Sequence, residues 1–355
     1  MTVATDKGAR FIATADLNHD GKTDLLVANA EGGSMTVLLG DGKGAFAATP
    51  ASPIPAGHLP NDIAITDLNG DGTADFVIAN HQSPYLRTFL GDGKGGFRPA
   101  PGSPFDAHSK PHPHGVSAAE FFGPSGIGVV TDSWASNQIE LLQVNDKGRL
   151  LTPGRFFAVG RRPYERLRVG DFNKDGHPDV VTTNLDDDTV TILLGDGKGG
   201  LGQNPGSPFP AGGRPWQIAI DDLNGDDNAD LAVIPYQRDL EDPKQNQVTI
   251  LLGDGKGGFT HTSSSSLSLQ GCDGPCAVAT GDIDGDGRRD VVVACAQSRS
   301  IAIFYSRGEG RYERVLLPSR GGWGGIAAAD LNSDKKDDLV AANPDQGTIT
   351  LYLSK

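Results

Sequence analysis

Six acidic loops of nine residues recur along the 355-residue chain. Aspartate or asparagine occupies positions 1, 3, 5 and 9 of every loop, and glycine occupies position 6 of most of them. Ca²⁺ takes oxygen ligands at such positions, position 7 can add a backbone carbonyl, and the glycine permits the sharp turn. The predicted Ca²⁺ ligands are Asp16, Asn18, Asp20, Asp24, Asp67, Asn69, Asp71, Asp75, Asp171, Asn173, Asp175, Asp179, Asp222, Asn224, Asp226, Asp230, Asp282, Asp284, Asp286, Asp290, Asp330, Asn332, Asp334 and Asp338.

The loops differ at position 6. Glycine is present there in the loops that begin at residues 16, 67, 171 and 282, whereas Asp227 and Lys335 replace it in the other two. Lys335 and Lys336 also bring positive charge to the last loop. We therefore expect about four to six structural Ca²⁺ ions, with the loop at residue 222 binding less well than the first four and the loop at residue 330 binding least.

The spacing of the loops predicts the architecture. They begin at residues 16, 67, 171, 222, 282 and 330, and the interval from 67 to 171 is about twice the others. A seventh, degenerate copy begins at Glu120, is followed by the apolar run 129–131, and has lost the later carboxylates, so we expect no metal there. A sequence period of about 40–50 residues is typical of propellers and related arrays.

Each repeat contains four β-type segments and a glycine-rich hairpin turn, which predicts an all-β, seven-bladed β-propeller of four-stranded blades. Residues 1–7 align with the fourth strand of other repeats, with Val3 in the place of Ile54, so an N-terminal strand should close the last blade and protect its edge. We predict a single domain over residues 1–355. Its blade cores are residues 11–56, 62–107, 115–160, 166–211, 217–269, 277–320 and 325–355 with 1–7.

Composition restricts the class of partner and the compartment. The formal net charge of −14 disfavours nucleic acid, although about six Ca²⁺ ions would neutralise most of it. No apolar run reaches the roughly 18 residues of a membrane span. Three cysteines predict one local disulfide, Cys276–Cys295 or Cys272–Cys276, as in an oxidising compartment. We expect an extracellular, cell-surface or periplasmic protein, although no signal peptide is visible.

The repeated Asp-x-Asn-x-Asp-Gly-x-x-Asp pattern, followed by an apolar strand, resembles the FG-GAP/VCBS repeat propellers along the whole chain. This family includes integrin α-subunit heads, some fungal lectins and bacterial secreted proteins, and it also provides scaffolds of polysaccharide lyases. The resemblance implies the propeller fold and bound Ca²⁺. It also implies that ligands bind on the face opposite the acidic loops, whereas activity inferred from fold alone would be analogy.

Residues of that opposite face precede each acidic loop at a fixed distance. Counting back six residues from each first acidic position gives Arg10, Asn61, His114, Glu165, Trp216, Cys276 and Gly324. These residues differ chemically from one repeat to the next, whereas their neighbours stay constant. Such variation is typical of a scaffold that presents different groups to a central funnel, and it is also typical of ordinary solvated loops.

Three clusters on these connections have residue types that could bind or react. His108, His112 and His114 could bind a transition metal or act in acid–base chemistry, or could lie in a solvated loop. Arg161, Arg162 and Tyr164 could hold a uronate or sialate carboxylate, or form a salt-bridge network between blades. Exposed indoles at Trp216 and Trp323 could stack on a sugar ring, or pack between blades. Trp134 and Tyr236 extend this surface, and the long loop 235–247 is a candidate lid.

The sequence therefore favours a secreted or cell-surface binding propeller for a carbohydrate or an extracellular protein. Its predicted ligand site comprises His112, His114, Arg161, Arg162, Tyr164, Trp216 and Trp323. The alternative is a polysaccharide lyase for a uronate-containing polymer. In that hypothesis Tyr164 or His114 removes the C5 proton, His112 acts as acid, and Arg161 or Arg162 neutralises the carboxylate. A third interpretation is a structural adhesion module.

Overall fold

Short apolar strands joined by glycine-rich turns form seven antiparallel β-sheets in this computed structural model. The structure describes residues 1–237, 239, 241–261 and 266–354, with the exception of the side chain of Glu165. The only helices among these residues are two single 3-10 turns, Pro243–Gln245 and Pro344–Gln346. None of the described helices has the length and apolar character that a membrane crossing requires. The predicted all-β fold is confirmed.

The strands follow one another blade by blade along the chain. The first is β1 (Thr2–Ala4). Blade 1 contains β2 (Ala9–Ala15), β3 (Asp24–Asn29), β4 (Ser34–Gly40), β5 (Phe46–Ala48) and β6 (Ile54–Pro55). Blade 2 contains β7 (Pro60–Thr66), β8 (Asp75–Asn80), β9 (Tyr85–Gly91), β10 (Phe97–Pro99) and β11 (Phe105–Asp106). Blade 3 contains β12 (Val116–Ala119), β13 (Gly128–Asp132), β14 (Gln138–Val144) and β15 (Leu150–Ala158).

The remaining blades repeat this order. Blade 4 contains β16 (Pro163–Gly170), β17 (Asp179–Asn184), β18 (Thr189–Gly195), β19 (Leu201–Gln203) and β20 (Phe209–Pro210). Blade 5 contains β21 (Pro215–Asp221), β22 (Asp230–Pro235), β23 (Gln247–Gly253), β24 (Phe259–Thr260) and β25 (Ser266–Ser268). Blade 6 contains β26 (Pro275–Gly281), β27 (Asp290–Cys295), β28 (Ser300–Ser306) and β29 (Tyr312–Pro318). Blade 7 contains β30 (Ile326–Ala329), β31 (Asp338–Asn343) and β32 (Thr348–Tyr352).

The fourth strand is interrupted in blades 1, 2, 4 and 5, where two short strands share the edge of one sheet. In blade 1, β5 and β6 both pair with β4. In blades 1, 2 and 4 prolines lie between the two segments, and proline cannot donate to a strand ladder. A serine hydroxyl partly replaces the lost pairing, because the Val37 N–H donates to Ser52 Oγ at 3.0 Å. Thr88 and Ser103 make the same contact in blade 2 at 3.2 Å.

The innermost strands form a closed ring. Each of β2, β7, β12, β16, β21, β26 and β30 packs against the inner strands of its two neighbours. The second strands behind them, apart from the shorter β13, have six residues each and are completely buried. Acidic loops connect the first to the second strands, so they lie at one end of the ring. The connections from second to third strands and from one blade to the next lie at the other end.

The cysteine pairing differs from both predicted alternatives. Cys272 is bonded to Cys295, with their Cα atoms 5.3 Å apart, and Cys276 is a buried free thiol. The physical reason is the direction of the side chains. Cys272 and Cys295 share the core between blades 5 and 6, whereas Cys276 faces the core shared with blade 7. The Cys276 thiol donates there to the carbonyl oxygen of Gly324 at 3.4 Å.

The N-terminal strand closes the last blade, as predicted. β1 pairs antiparallel with β32, with Val3 opposite Ile349 and Thr2 opposite Thr350. Val3 is half-buried and packs against the core between blades 7 and 1, which includes Ile349 and Val340. Both ends of the described chain are thereby held in a single sheet.

Substituting Val3 with aspartate should place an unpaired carboxylate against this core. We expect the Val3→Asp change to lower the free energy of unfolding by about 1–3 kcal/mol. Thr2→Asp is the matched control, because Thr2 is exposed on the same strand. Thermal unfolding of the two variants checks the prediction. Equal melting temperatures for Val3→Asp and the parent protein would show that β1 does not seal the ring.

Candidate functional site

The acidic loops fold around the carboxylate at position 1. In the first loop, Asp16 Oδ1 accepts the N–H groups of Asn18 and Asp20, each at 3.2 Å, and Asp16 Oδ2 accepts that of Gly21 at 2.8 Å. Asp227 and Lys335, which replace the position-6 glycine, adopt the same left-handed conformation with φ of 63° and 72°. The backbone of all six loops therefore keeps one shape despite the two substitutions.

The aspartate at position 9 is buried and joins the loop to the sheet. Asp75 Oδ2 accepts the N–H of Leu68 at 2.9 Å, and Asp75 Oδ1 accepts that of Gly91 at 2.7 Å. Burial and the nearby acidic groups raise the pKa of Asp75 to about 6. The pKa values of Asp179, Asp230 and Asp290 are also raised to about 6 by burial and neighbouring carboxylates. A bound cation would favour the ionised forms of these groups.

The donor atoms of the loops fit a hard cation. Their side chains offer oxygen atoms only, which is the ligand type that Ca²⁺ takes. In the loop of blade 6, carboxylate oxygens of Asp282, Asp284 and Asp290 lie within 4.8 Å of one another. Asp284 Oδ1 is buried and has no hydrogen-bond partner, whereas Asp284 Oδ2 pairs with Arg307 at 2.6 Å. This Asp284 oxygen has no partner and lies beside two further carboxylates, so it is suited to act as a Ca²⁺ ligand.

The opposite end of the ring carries a second regular position. The residue fourteen places after the start of each acidic loop lies just beyond the second strand, on this face. From blade 1 to blade 7 these residues are Ala30, His81, Trp134, Leu185, Tyr236, Ala296 and Pro344. A pattern that counts only backwards from the acidic loops finds neither His81 nor Leu185. Counting forwards from the loops would have found His81.

Four of these residues line one pocket of about 330 Å³. They come from four successive blades, and side chains from the connections between blades complete the wall. The lining residues are His81, Gln82, His112, Trp134, Arg162, Tyr164, Leu185 and Tyr236. Two predicted residues that are nearby in sequence, His114 and Arg161, do not line this pocket. Part of loop 235–247, the candidate lid, includes residues 238 and 240 and so lies outside the described residues, as does the side chain of Glu165.

Three histidines form a compact cluster at this pocket. His112 Nε2 and His114 Nε2 are 3.0 Å apart, and the centroids of the His81, His112 and His114 rings lie 4.6–4.8 Å from one another. The ring of Tyr164 packs against His114 with centroids 4.6 Å apart. His112 and His114 belong to the predicted ligand site, whereas His108 is exposed and lies outside the cluster.

Backbone contacts from two blades fix this histidine segment. The Gly115 N–H donates to Asp132 Oδ1 of blade 3 at 2.7 Å, and the Val116 N–H donates to Asp62 Oδ2 of blade 2 at 3.0 Å. Asn61 Nδ2 donates to the carbonyl oxygen of His114 at 3.2 Å. His81 follows Asn80, whose side chain donates to the carbonyl oxygens of the preceding connection. The cluster is therefore part of the packed framework and is not a solvated loop.

Burial determines the protonation of the cluster. Burial, together with smaller contributions from neighbouring histidines and Arg10, lowers the pKa of His114 to about 2 and that of His81 to about 4. Burial also lowers the pKa of His112. At neutral pH the three imidazoles are therefore uncharged, and each has one ring nitrogen that carries a lone pair and no proton.

The two arginines of the predicted cluster have different positions relative to the pocket. Arg161 is largely exposed and pairs with Asp187 of its own blade, with Nε 2.5 Å from Oδ1. Arg162 lines the pocket, lies 5.4 Å above the ring of Trp134, and contacts Asp186 at 3.5 Å. Salt bridges to the β17–β18 turn thus hold the Arg161 guanidinium away from the pocket, whereas Arg162 remains at its wall.

The predicted exposed indole at position 216 is wrong. Trp216 is only 3% exposed, because it packs edge-on against Tyr236 and Trp323 with centroids 5.1 and 5.6 Å apart. Trp323 is 42% exposed, and Trp134 is 36% exposed. Trp216 therefore packs between blades, which is the second of the two predicted alternatives. The exposed tryptophan at the pocket is Trp134.

Sequence comparison matches the family model of the FG-GAP-like repeat to residues 16–78, 171–233, 241–293 and 282–341, which together exceed half of the chain. The chain belongs to the FG-GAP-like repeat family. No curated protein sequence matches this FG-GAP propeller significantly.

Solved structures with the same fold have low sequence identity to this FG-GAP propeller. BBS1N in complex with ARL6DN is 13% identical with a TM-score of 0.62, over 100% of this chain and 96% of that one. Virginiamycin B lyase from Staphylococcus aureus is 15% identical with a TM-score of 0.60, over 99% and 98% of the two chains. An Agrocybe aegerita lectin for non-reducing terminal N-acetylglucosamine is 16% identical with a TM-score of 0.57, over 96% and 87%. At these identities the likeness is one of fold alone.

Proposed function

We propose that this FG-GAP propeller is a secreted or cell-surface protein that binds a carbohydrate in the pocket opposite the acidic loops. The observation that carries the proposal is the convergence of three aromatic residues, Trp134, Tyr164 and Tyr236, from three successive blades on one concavity. Aromatic rings offer an apolar surface for the face of a sugar ring, and the tyrosine hydroxyls add hydrogen-bonding capacity.

The dimensions of the pocket favour a saccharide over a protein partner. A volume of about 330 Å³ is typical of small-molecule sites, which begin near roughly 300 Å³. A stable protein partner generally needs a much larger interface, about 800 Å² on each side. Arg162 at the wall supplies a positive charge, which favours an acidic sugar such as a uronate or a sialate. The Cys272–Cys295 disulfide supports an oxidising compartment.

Replacing Trp134 with alanine should weaken saccharide binding by about 1–3 kcal/mol, because an aromatic anchor in the pocket would be lost. Trp323→Ala is the matched control, since it removes an exposed indole on the same face but outside the pocket. A glycan array would find the ligand, and calorimetry on the parent and both variants would measure affinity. Equal affinities for the parent and Trp134→Ala, or binding to protein partners alone, would count against a saccharide in this pocket.

Elimination from a uronate polymer is a second candidate, favoured by the presence of Tyr164, His112 and Arg162 in one pocket wall. Arg162 would neutralise the carboxylate, which makes the C5 proton more acidic. Burial lowers the pKa of His112, so its neutral imidazole suits proton acceptance, and the Tyr164 hydroxyl suits protonation of the leaving oxygen. This reverses the roles expected from sequence. His114 is completely buried and does not line the pocket, which removes it as a base.

The lyase hypothesis predicts unsaturated products from uronate polymers. Tyr164→Phe should reduce their rate of formation by about 100-fold or more, because general acid–base catalysis commonly contributes that factor. Tyr85→Phe is the control, because Tyr85 is exposed and does not line the pocket. Ultraviolet absorbance of the product provides the measurement. Binding of the polymers without any change in absorbance would leave the binding function and eliminate the lyase.

The Ca²⁺ ions are proposed as structural ligands of the acidic loops, where they would offset the repulsion among clustered carboxylates. The loops lie at the end of the ring away from the pocket, so their ions would stabilise the blades without contacting the sugar. The donor sets described above are the support for this assignment.

Removal of Ca²⁺ by a chelator should therefore lower the melting temperature, and added Ca²⁺ should restore it, since a ligand that binds only the folded state stabilises that state. Asp71→Ala should remove one ion from the total measured by equilibrium dialysis. Asp146→Ala is the control, because Asp146 is exposed and outside every acidic loop. A melting temperature that chelation does not change would refute a structural role for the ions.

A further inference from the structure

We infer that His81, His112 and His114 form a binding site for one divalent transition-metal ion of the Zn²⁺ type. Nitrogen atoms of the three side chains lie within 4.8 Å of one another. Neutral imidazole is a preferred ligand of Zn²⁺, Cu²⁺ and Ni²⁺, whereas Ca²⁺ prefers oxygen. The site is therefore chemically distinct from the acidic loops, and it lies at the opposite end of the ring.

The spacing of the nitrogens suits a shared ion. Zn–N bonds are about 2.0–2.1 Å long, so two imidazole nitrogens at a tetrahedral angle are about 3.3 Å apart. His112 Nε2 and His114 Nε2 are 3.0 Å apart, close to that separation. Without an ion, one of these nitrogens must carry a proton and donate it to the other. On metal binding that imidazole changes tautomer, because Nε2 loses its proton to solvent and Nδ1 takes one up, so the ring stays neutral and both Nε2 lone pairs face the ion.

The segment that carries two of the three histidines is also held in place by the fold. His114 is completely buried, and its Nδ1 has no hydrogen-bond partner. The contacts of Asn61, Asp62 and Asp132 with the adjacent backbone hold the segment that carries His112 and His114. Little reorganisation would then be needed on binding.

The position of the cluster gives the ion access to the pocket. His81 and His112 form part of the pocket wall, while His114 lies behind them. Sites with three protein ligands commonly keep a fourth position open for water or substrate. A cation here would place that open position toward the pocket and add positive charge beside Arg162. A bound metal ion would also occupy the ring nitrogen of His112. His112 therefore cannot be both a metal ligand and the catalytic base.

A titration of tag-free protein tests the site. The protein is first stripped with a chelator, then saturated with Ca²⁺ so that the acidic loops are filled, and then titrated with Zn²⁺ by calorimetry. Co²⁺ provides a second probe, because its visible absorption separates a four-coordinate nitrogen site from six-coordinate oxygen sites. We expect one equivalent of each ion per chain and the strong absorption of four-coordinate Co²⁺. This result does not depend on the identity of any saccharide.

The variants separate the histidine site from other binding. His81→Gln and His112→Gln should each weaken Zn²⁺ binding by at least about 100-fold, since a lost ligand costs more than a lost outer partner. Both histidines are half-buried, and glutamine keeps a polar side chain of similar length. His108→Gln is the matched control on the same segment, because His108 is exposed and outside the cluster. Absence of binding, or affinities of His81→Gln and His112→Gln equal to that of the parent, would overturn the inference.

Discussion

Six of the seven blades depend on a buried aspartate at the first residue of the second strand, where two backbone N–H groups donate to one carboxylate. Asp24, for example, accepts N–H groups from Leu17 in the acidic loop and from Gly40 at the end of the third strand. These bonds satisfy backbone groups that the turn would leave unpaired in the interior. Blade 3 lacks this aspartate and instead uses a backbone bond, from the Val144 N–H to the Ile127 carbonyl oxygen at 2.9 Å. The register of every second strand is thereby fixed at its start.

A fixed register at one end determines which residues reach the other end. The position that follows each six-residue second strand lies six places after the buried aspartate, so it recurs on the pocket face in blade after blade. Since the strands themselves are fully buried, their apolar residues are constrained by packing, whereas the residue beyond them is not. The ring thus presents Ala30 in one blade and His81 in the next without altering the core. The hydrogen bonds that fix each second strand therefore lie at one end of the strand, and the residue that faces the pocket side lies at the other end.

The sequence predicted features that repeat and failed at features that occur once. Seven repeats determined the blade number, and the alignment of Val3 with Ile54 located the closing strand. The direction of a single side chain has no such redundancy. Trp216 lies on a strand where the backbone has a bulge between Pro215 and Gln217, and its ring turns into the core shared with Tyr236. A similar bulge between Pro275 and Ala277 surrounds Cys276 and accompanies its turn away from Cys295. The pattern that counted only backwards from the acidic loops missed His81, whose partners lie about thirty residues further along the chain and meet it through the packing of adjacent blades.

Blade 3 differs from the other blades at both ends of its second strand. Its degenerate loop has lost the carboxylates beyond Glu120, and the same blade supplies His112, His114 and Trp134 to the opposite face. Proteins that share this fold differ in what they bind, as the ARL6DN complex and the N-acetylglucosamine lectin illustrate. A fold alone does not determine what a protein binds, so the ligand depends on the side chains of the individual chain. The described side chains that line the pocket here include aromatic rings, uncharged imidazoles and the Arg162 guanidinium, and the proposed saccharide function rests on them.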